Sequence, residues 1–268
     1  MAWIVHPEVL AGLSVLAAAY LLALARRSRC EPGSRVQPWR AVAFFSGLGF
    51  IFLALNGPLH DLSDSQLFSA HMVQHLLLTL VAPPLLLVGT PAWMLRPLAQ
   101  IPGVAALGAT MTRPLIACST FNVVFAAWHL PVLYEWALRS HGVHILAHLL
   151  FMATAILLWW PVLSPLTDWP RLAPPAQLLY LFLAGIPMGV VAALITLSDD
   201  VLYRFYSEAP LKWGLSPLAD QRLGGVIMWV PGTLVFLVAM TIVYFRWVGR
   251  DEGRGDIPDA HGEVHGTV

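Results

Sequence analysis

The chain has 268 residues, of which 58% are hydrophobic and only 11% are charged, and its mean hydropathy is +0.71. Soluble domains carry about 25% charged residues, so this composition excludes a soluble globular domain and indicates an integral membrane protein. The net charge is zero, with 15 basic and 15 acidic residues, and nothing suggests a nucleic-acid partner. The two cysteines, Cys30 and Cys118, fall outside the predicted outer loops, which argues against a disulfide framework.

Seven segments have the roughly 20 mostly apolar residues that a membrane-spanning helix needs. They cover approximately residues 8–25, 41–59, 67–89, 114–134, 143–163, 176–198 and 224–247. The first segment lacks the basic start and the small-residue cleavage site of a secretory signal, so it is read as a retained span. The sequence therefore predicts an all-α, polytopic bundle of seven transmembrane helices over residues 1–248, followed by a disordered cytoplasmic tail over residues 249–268.

The basic residues in the loops set the predicted orientation of the bundle, because cytoplasmic loops carry an excess of Lys and Arg. With the N-terminus outside, eleven of the basic residues fall in inner segments and four in outer segments. This split predicts an outer N-terminus and a cytoplasmic C-terminus.

Eight of the ten histidines lie toward the predicted outer ends of the spans. His71 and His75 are four residues apart in the third span, so they share one helix face. His144 and His148 repeat this spacing in the fifth span, and His129 reaches the same depth in the fourth. Polar groups inside a membrane are costly and usually functional, and imidazole is a good ligand for copper, zinc and iron. We therefore predict a metal or redox site formed by these five histidines.

Other polar residues at this end have simpler interpretations. His6, His60 and His141 are single residues near helix ends and are expected to be solvated or hydrogen-bonded at the interface, while His261 and His265 lie in the tail. Asp220 falls in the first turn of the seventh span, behind a predicted Ser216 N-cap and Pro217. It is either a carboxylate favoured by the helix dipole or a further metal ligand.

Four motifs together resemble a known family. They read "HMVQHLLLTLVAPPLLLVGTP", "WHLPVLYEWAL", "HILAHLLFMATAILLWWP" and "SPLADQRLGGVIMW", and they occur in this order over about residues 60–235. The chain resembles the polytopic CtaG-type cytochrome c oxidase assembly proteins, which are distinct from the single-span copper chaperone of the same name. The resemblance implies a multi-pass bacterial plasma-membrane protein that helps to form active haem–copper oxidase at its copper centre.

The motif positions carried over from this family are His71, His75, His129, His144, His148 and Asp220. One departure from the pattern is Ala147, where many relatives carry a carboxylate just before the last histidine of the fifth span. The chain also lacks the outer cysteine pair of the single-span chaperone, so a metal site here has to be built from histidine, with Asp or Met as further ligands.

Three functions remain open from the residues and the resemblance together. The first is an assembly factor, rather than an enzyme, that binds or passes copper to oxidase subunits, with a copper chaperone as a further partner besides the lipid bilayer. The second is a haem b or quinone redox protein, since histidines from two helices can ligate haem. The third is an intramembrane zinc hydrolase, but Met72 and Ile145 stand where the H-E-x-x-H motif has its glutamate.

Overall fold

The computed structural model describes residues 5–30, 36–169, 171–208 and 214–255 of the chain. In these ranges the chain forms twelve α-helices: α1 (Pro7–Cys30), α2 (Pro38–Leu55), α3 (Pro58–Ser65), α4 (Phe68–Leu76), α5 (Ala82–Gly89), α6 (Ala92–Ala99), α7 (Pro102–Met111), α8 (Pro114–Trp128), α9 (Pro131–Arg139), α10 (His141–Leu163), α11 (Pro174–Thr196) and α12 (Pro217–Gly255). A π-helical turn, Leu77–Val81, joins α4 to α5, and a 3₁₀ turn, Arg204–Ser207, lies between α11 and α12.

Six stretches of the described chain are long and apolar enough to cross a membrane, and the bent pair α8 and α9 makes a seventh if it is counted as one span. The predicted all-helical membrane bundle is therefore confirmed. The outer position of the N-terminus stays a prediction. We call the end of the bundle where α4, α10 and α12 begin the histidine end.

The third span is one continuous helical stretch, Phe68–Gly89, but its hydrogen bonding changes in the middle. Pro83 has no backbone N–H, so the carbonyl of Thr79, one turn earlier, loses its usual partner. The Trp159 indole on α10 donates to this carbonyl at 3.1 Å. This hydrogen bond links the third span to α10, the helix that carries two of the predicted site histidines.

The fourth predicted span bends instead of running straight to residue 134. Its axis turns by 74° between α8 and α9. Pro131 cannot donate to a helical carbonyl, and Leu130 before it is extended, as residues that precede proline prefer. The break leaves His129 at the C-cap of α8 and lays α9 across the histidine end.

Helices α4 and α12 approach each other closely at the histidine end. A methyl group added at Gly224 would overlap the ring of Phe68, so glycine is required at this crossing. Phe68 is almost fully buried and belongs to the main core, together with Met72, Phe151 and Met228. Helix α11 packs along α12, whereas α10 packs against α5, α8 and α9 and so lies in the middle of the bundle.

Three short helices were not among the predicted spans. Helix α3 folds over the histidine end between the second and third spans, and α6 and α7 connect the third and fourth. Helix α12 continues to Gly255, into the segment predicted to be a tail. The rest of that tail, residues 256–268 with His261 and His265, lies outside the described residues.

Candidate metal centre

All five histidines predicted to form a site are buried, and the fold brings them together. The ring centroids of His71 and His144 are 5.4 Å apart, and those of His144 and His148 are 4.3 Å apart. His75 lies 5.7 Å from both His148 and His129 by the same measure. The i, i+4 pairs on α4 and α10 therefore face each other, and His129 joins them from the end of α8.

Two groups of side chains that could hold a metal ion share His71: one is Asp64, His71 and His144, and the other is His71, His75 and His148. In the second group, one ring nitrogen from each histidine lies within 4.8 Å of the corresponding atoms of the other two. The Nε2 atoms of His71 and His75 are 2.8 Å apart. Nitrogens bound at about 2.0–2.1 Å to one tetrahedral ion are roughly 3–3.5 Å apart, so a small movement of these rings would accommodate an ion.

Three of the imidazoles are oriented through Nδ1, which leaves Nε2 to face the cluster. His129 Nδ1 donates to the Phe125 carbonyl at 2.7 Å, and His71 Nδ1 lies 3.3 Å from the Ser63 carbonyl. His144 Nδ1 lies 3.4 Å from the Asp64 carboxylate. A carbonyl or carboxylate on one ring nitrogen fixes the tautomer and leaves a lone pair on the other, which is how metal-binding histidines are commonly held.

Four buried ring nitrogens in the cluster have no hydrogen-bond partner among the described residues. They are Nδ1 of His75 and Nε2 of His129, His144 and His148. A buried polar atom without a partner is destabilising, and native proteins keep few of them. A space of about 10 Å³ is lined by His71, His75 and His144, among others, but not by His148 or His129. That volume is about the size of a single ion or water molecule.

Asp64 on α3 is a member of the site that the sequence did not reveal. Its Oδ2 atom lies 3.3 Å from Nε2 of His60 and 3.4 Å from Nδ1 of His144. Burial alone would raise the pKa of this carboxyl, but the hydrogen bond and charge of His144, with the charges of His60 and His71, hold the pKa well below its ordinary value. Asp64 is therefore an ionised acceptor shared by two imidazoles.

His60 is better connected than a solvated interfacial residue. Its Nδ1 atom accepts from the Gln74 amide at 3.0 Å, while Nε2 donates to Asp64. Burial lowers the pKa of His60, although the charge of Asp64 opposes this effect. A neutral ring with its proton on Nε2 satisfies both contacts. The spacing of His60 and Asp64, four residues apart, was the only signal of this pair in the sequence.

Among the described residues, Asp220 belongs to neither group of side chains that could hold a metal ion. Its carboxylate accepts from the backbone N–H of Phe68 at 2.6 Å and from that of Ser69 at 3.2 Å, and it also accepts from the Ser69 hydroxyl. These N–H groups are in the first turn of α4, where a helix leaves its amides unpaired. Asp220 is thus the cap of a neighbouring helix. The predicted capping of α12 is present, since Ala219 N–H donates to Ser216 Oγ at 3.2 Å.

Tyrosines from the segment between α11 and α12 close the cluster from outside, and no sequence pattern pointed to them. The Tyr206 hydroxyl donates to the Ser63 carbonyl at 2.7 Å and lies 3.2 Å from His71 Nδ1. Burial raises the pKa of Tyr206 well above its ordinary value, so the phenol stays protonated and can donate. The Tyr203 hydroxyl donates to the His129 carbonyl at 2.8 Å.

Comparison with known proteins gives one family and several relatives. The family model described as "Cytochrome c oxidase caa3 assembly factor (Caa3_CtaG)" matches residues 18–250. Uncharacterized proteins of Mycobacterium bovis and Mycobacterium tuberculosis are each 26% identical over 272 residues, and one of Mycobacterium leprae is 25% identical. These alignments cover 93–94% of this chain, which spans 40% of the length of each relative. No solved structure matches the chain.

Proposed function

This chain belongs to the cytochrome c oxidase caa3 assembly factors, and from that premise we propose that it binds copper as cargo in its histidine cluster for a haem–copper oxidase. The family and the apolar helices together make it a multi-pass protein of the bacterial plasma membrane. Copper binding would be the way in which this factor helps to assemble the oxidase.

One observation carries the proposal: four of the five clustered imidazoles have a buried ring nitrogen without a partner among the described residues. A cation at the cluster would be coordinated by some of these nitrogens and so would remove part of the cost of burying them. His71, His75 and His148 would hold the ion, and His129 and His144 would stand next to it. Their Nδ1 contacts keep His71, His129 and His144 turned toward it.

The donor set and the size of the space beside the rings suit a copper ion. Neutral imidazole is a strong ligand for both oxidation states of copper, and divalent copper binds nitrogen sites more tightly than zinc does. A space of about 10 Å³ lined by His71, His75 and His144 suits one ion. Copper held here would be transferred unchanged, which is a metal-handling role and not a catalytic one.

Metal analysis of the purified full chain tests this function. The protein is prepared with His261→Ala and His265→Ala, which removes the tail imidazoles as a source of adventitious binding, and is loaded with Cu(I) or Cu(II). We expect stoichiometric copper in this background and its loss in His71→Phe/His75→Phe, which keeps aromatic rings but removes the lone pairs. Equal copper in the two proteins would contradict the proposal, and a Soret band in protein from haem-replete cells would favour the haem alternative.

The oxidase itself supplies the second test. In a strain that lacks this gene, we expect purified haem–copper oxidase with its normal haem content and less copper. The wild-type gene should restore the copper content, and the His71→Phe/His75→Phe gene should not. An oxidase that loses haem while keeping copper would refute the copper role even if the protein binds copper in isolation.

A further inference from the structure

Three histidines outside the cluster form a row with it. The ring of His6, just before α1, lies 4.5 Å from that of His60 on α3 and 6.5 Å from that of His141 at the start of α10, measured between centroids. The His60 ring lies 6.3 Å from the His144 ring, which belongs to the cluster. The row therefore joins three separate segments of the chain and ends at the buried imidazoles.

Exposure falls steadily along this row. The exposed fraction of the side chain is 70% at His141, 23% at His6, 12% at His60 and 9% at His144. Isolated interfacial histidines would have no reason to follow such an order. The row leads from a solvated imidazole to the edge of a site that is itself closed to solvent, in steps short enough for one ligand to replace another.

Two carboxylates accompany the row and compensate a positive charge along it. Glu8 Oε1 lies 3.1 Å from His6 Nδ1 and 4.0 Å from His141 Nε2. Asp64 stands between His60 and His144 in the same way. A cation in a membrane protein is costly unless anions accompany it.

The row also borders open space. A cavity of about 670 Å³ between α1, α2, α5 and α10 is lined by all its members, and it extends to His148. The backbone N–H of His6 donates to the buried Asn56 side chain at 2.8 Å, which holds His6 against the junction of α2 and α3.

We propose that His141, His6 and His60, with Glu8 and Asp64, form a path along which copper passes between the surface and the buried cluster. The path rests on the proposed function, since it carries the same ion. Its residues exchange the ion with the cluster but do not hold it at equilibrium. Removal of His141, His6 or Glu8 therefore slows loading and unloading by the same factor and leaves the dissociation constant unchanged. Removal of a ligand changes that constant, and so does removal of Asp64, because Asp64 also orients His144.

The test compares Glu8→Gln/His6→Asn/His141→Asn with Asp199→Asn, all in the full chain with the tail histidines replaced. Asp199 is an exposed carboxylate at the same end that pairs with Arg222, away from the row. Cu(I) is supplied as its bicinchoninate complex, and its colour reports the rates of transfer in both directions. The single variant His141→Asn, at the most exposed position of the row, accompanies them because it leaves the packing intact.

We expect both rates to fall at least about tenfold in the triple variant, with unchanged stoichiometry and dissociation constant, and to stay at the wild-type value in Asp199→Asn. Unchanged rates would overturn the path and leave the proposed function standing. A weaker dissociation constant at equal loading rate would overturn it too, because these residues would then be ligands. Wild-type protein that takes up no copper would overturn both.

Discussion

Asp64 and His144 come from different helices and meet with 3.4 Å between Oδ2 and Nδ1. This contact turns Nε2 of His144 toward the cluster. Among the described residues, that nitrogen has no hydrogen-bond partner. Carboxylates that orient a metal-binding histidine in this way usually strengthen binding without touching the metal.

Replacing Asp64 should therefore weaken copper binding without abolishing it. For Asp64→Asn we expect a dissociation constant raised about 10- to 100-fold, as for other partners of metal-binding histidines, at unchanged stoichiometry. Competition with a copper chelator measures this constant. Asp61→Asn on the same helix is the matched control, because the structure shows no ion pair of Asp61 with any described imidazole. Equal affinity in the two variants would contradict an orienting role.

Asp220→Ala should lower the stability of the protein and leave copper binding unchanged. Loss of the carboxylate leaves the Phe68 and Ser69 amides of α4 without their acceptor, and loss of a helix cap costs about 0.5–2 kcal/mol. We expect a lower denaturation midpoint in detergent micelles, a smaller loss for Asp220→Asn, and full copper stoichiometry. A variant with wild-type stability and no copper would instead show that Asp220 is a ligand.

Trp159 and Trp160, which are adjacent on α10, allow a controlled test of the hydrogen bond between α10 and the third span. Trp159→Phe removes the donor to the Thr79 carbonyl, which Pro83 has deprived of its helical partner, and should cost about 1–3 kcal/mol of unfolding free energy. Trp160 Nε1 is buried without a partner among the described residues, so Trp160→Phe should lose only packing. The opposite order of the two midpoints would contradict the assignment.

Gly224→Ala should disturb the crossing of α4 and α12, because the added methyl overlaps the Phe68 ring. Overpacking of this kind typically costs about 1–3 kcal/mol. Gly12→Ala is the control, since no atom lies within 4 Å of its added methyl. Phe68→Leu in the Gly224→Ala background should recover part of the loss, and no recovery would point to a backbone cause rather than the ring.

The sequence was sufficient for the spans and for the pairing and shared depth of the five histidines, because both follow from helical geometry. It did not show that the third span contacts the fourth and the fifth. An apolar stretch of bilayer length predicts a helix, and a spacing of four places His71 beside His75 and His144 beside His148. The bend at His129 was readable in principle, because Pro131 removes a helical donor and favours an extended backbone at Leu130.

Contacts between elements that are distant in the chain could not be predicted. The role of Asp64 depends on α3 folding onto α10, and that of Tyr206 depends on a connecting segment reaching back to Ser63. The same limit applies to Asp220. Its position at the start of α12 was predicted, but which helix its carboxylate caps is decided by the crossing at Gly224.

The π-helical turn Leu77–Val81 follows directly on the last residue of α4, two positions after His75. A turn that closes with one additional residue rotates everything beyond it by about 100° relative to an uninterrupted helix. The α4 half can therefore present its histidines toward α10 while the α5 half packs chiefly on α2. The two halves of this span therefore pack against different helices. The α5 half can vary in sequence to suit its packing without turning the histidines of α4 away from those of α10.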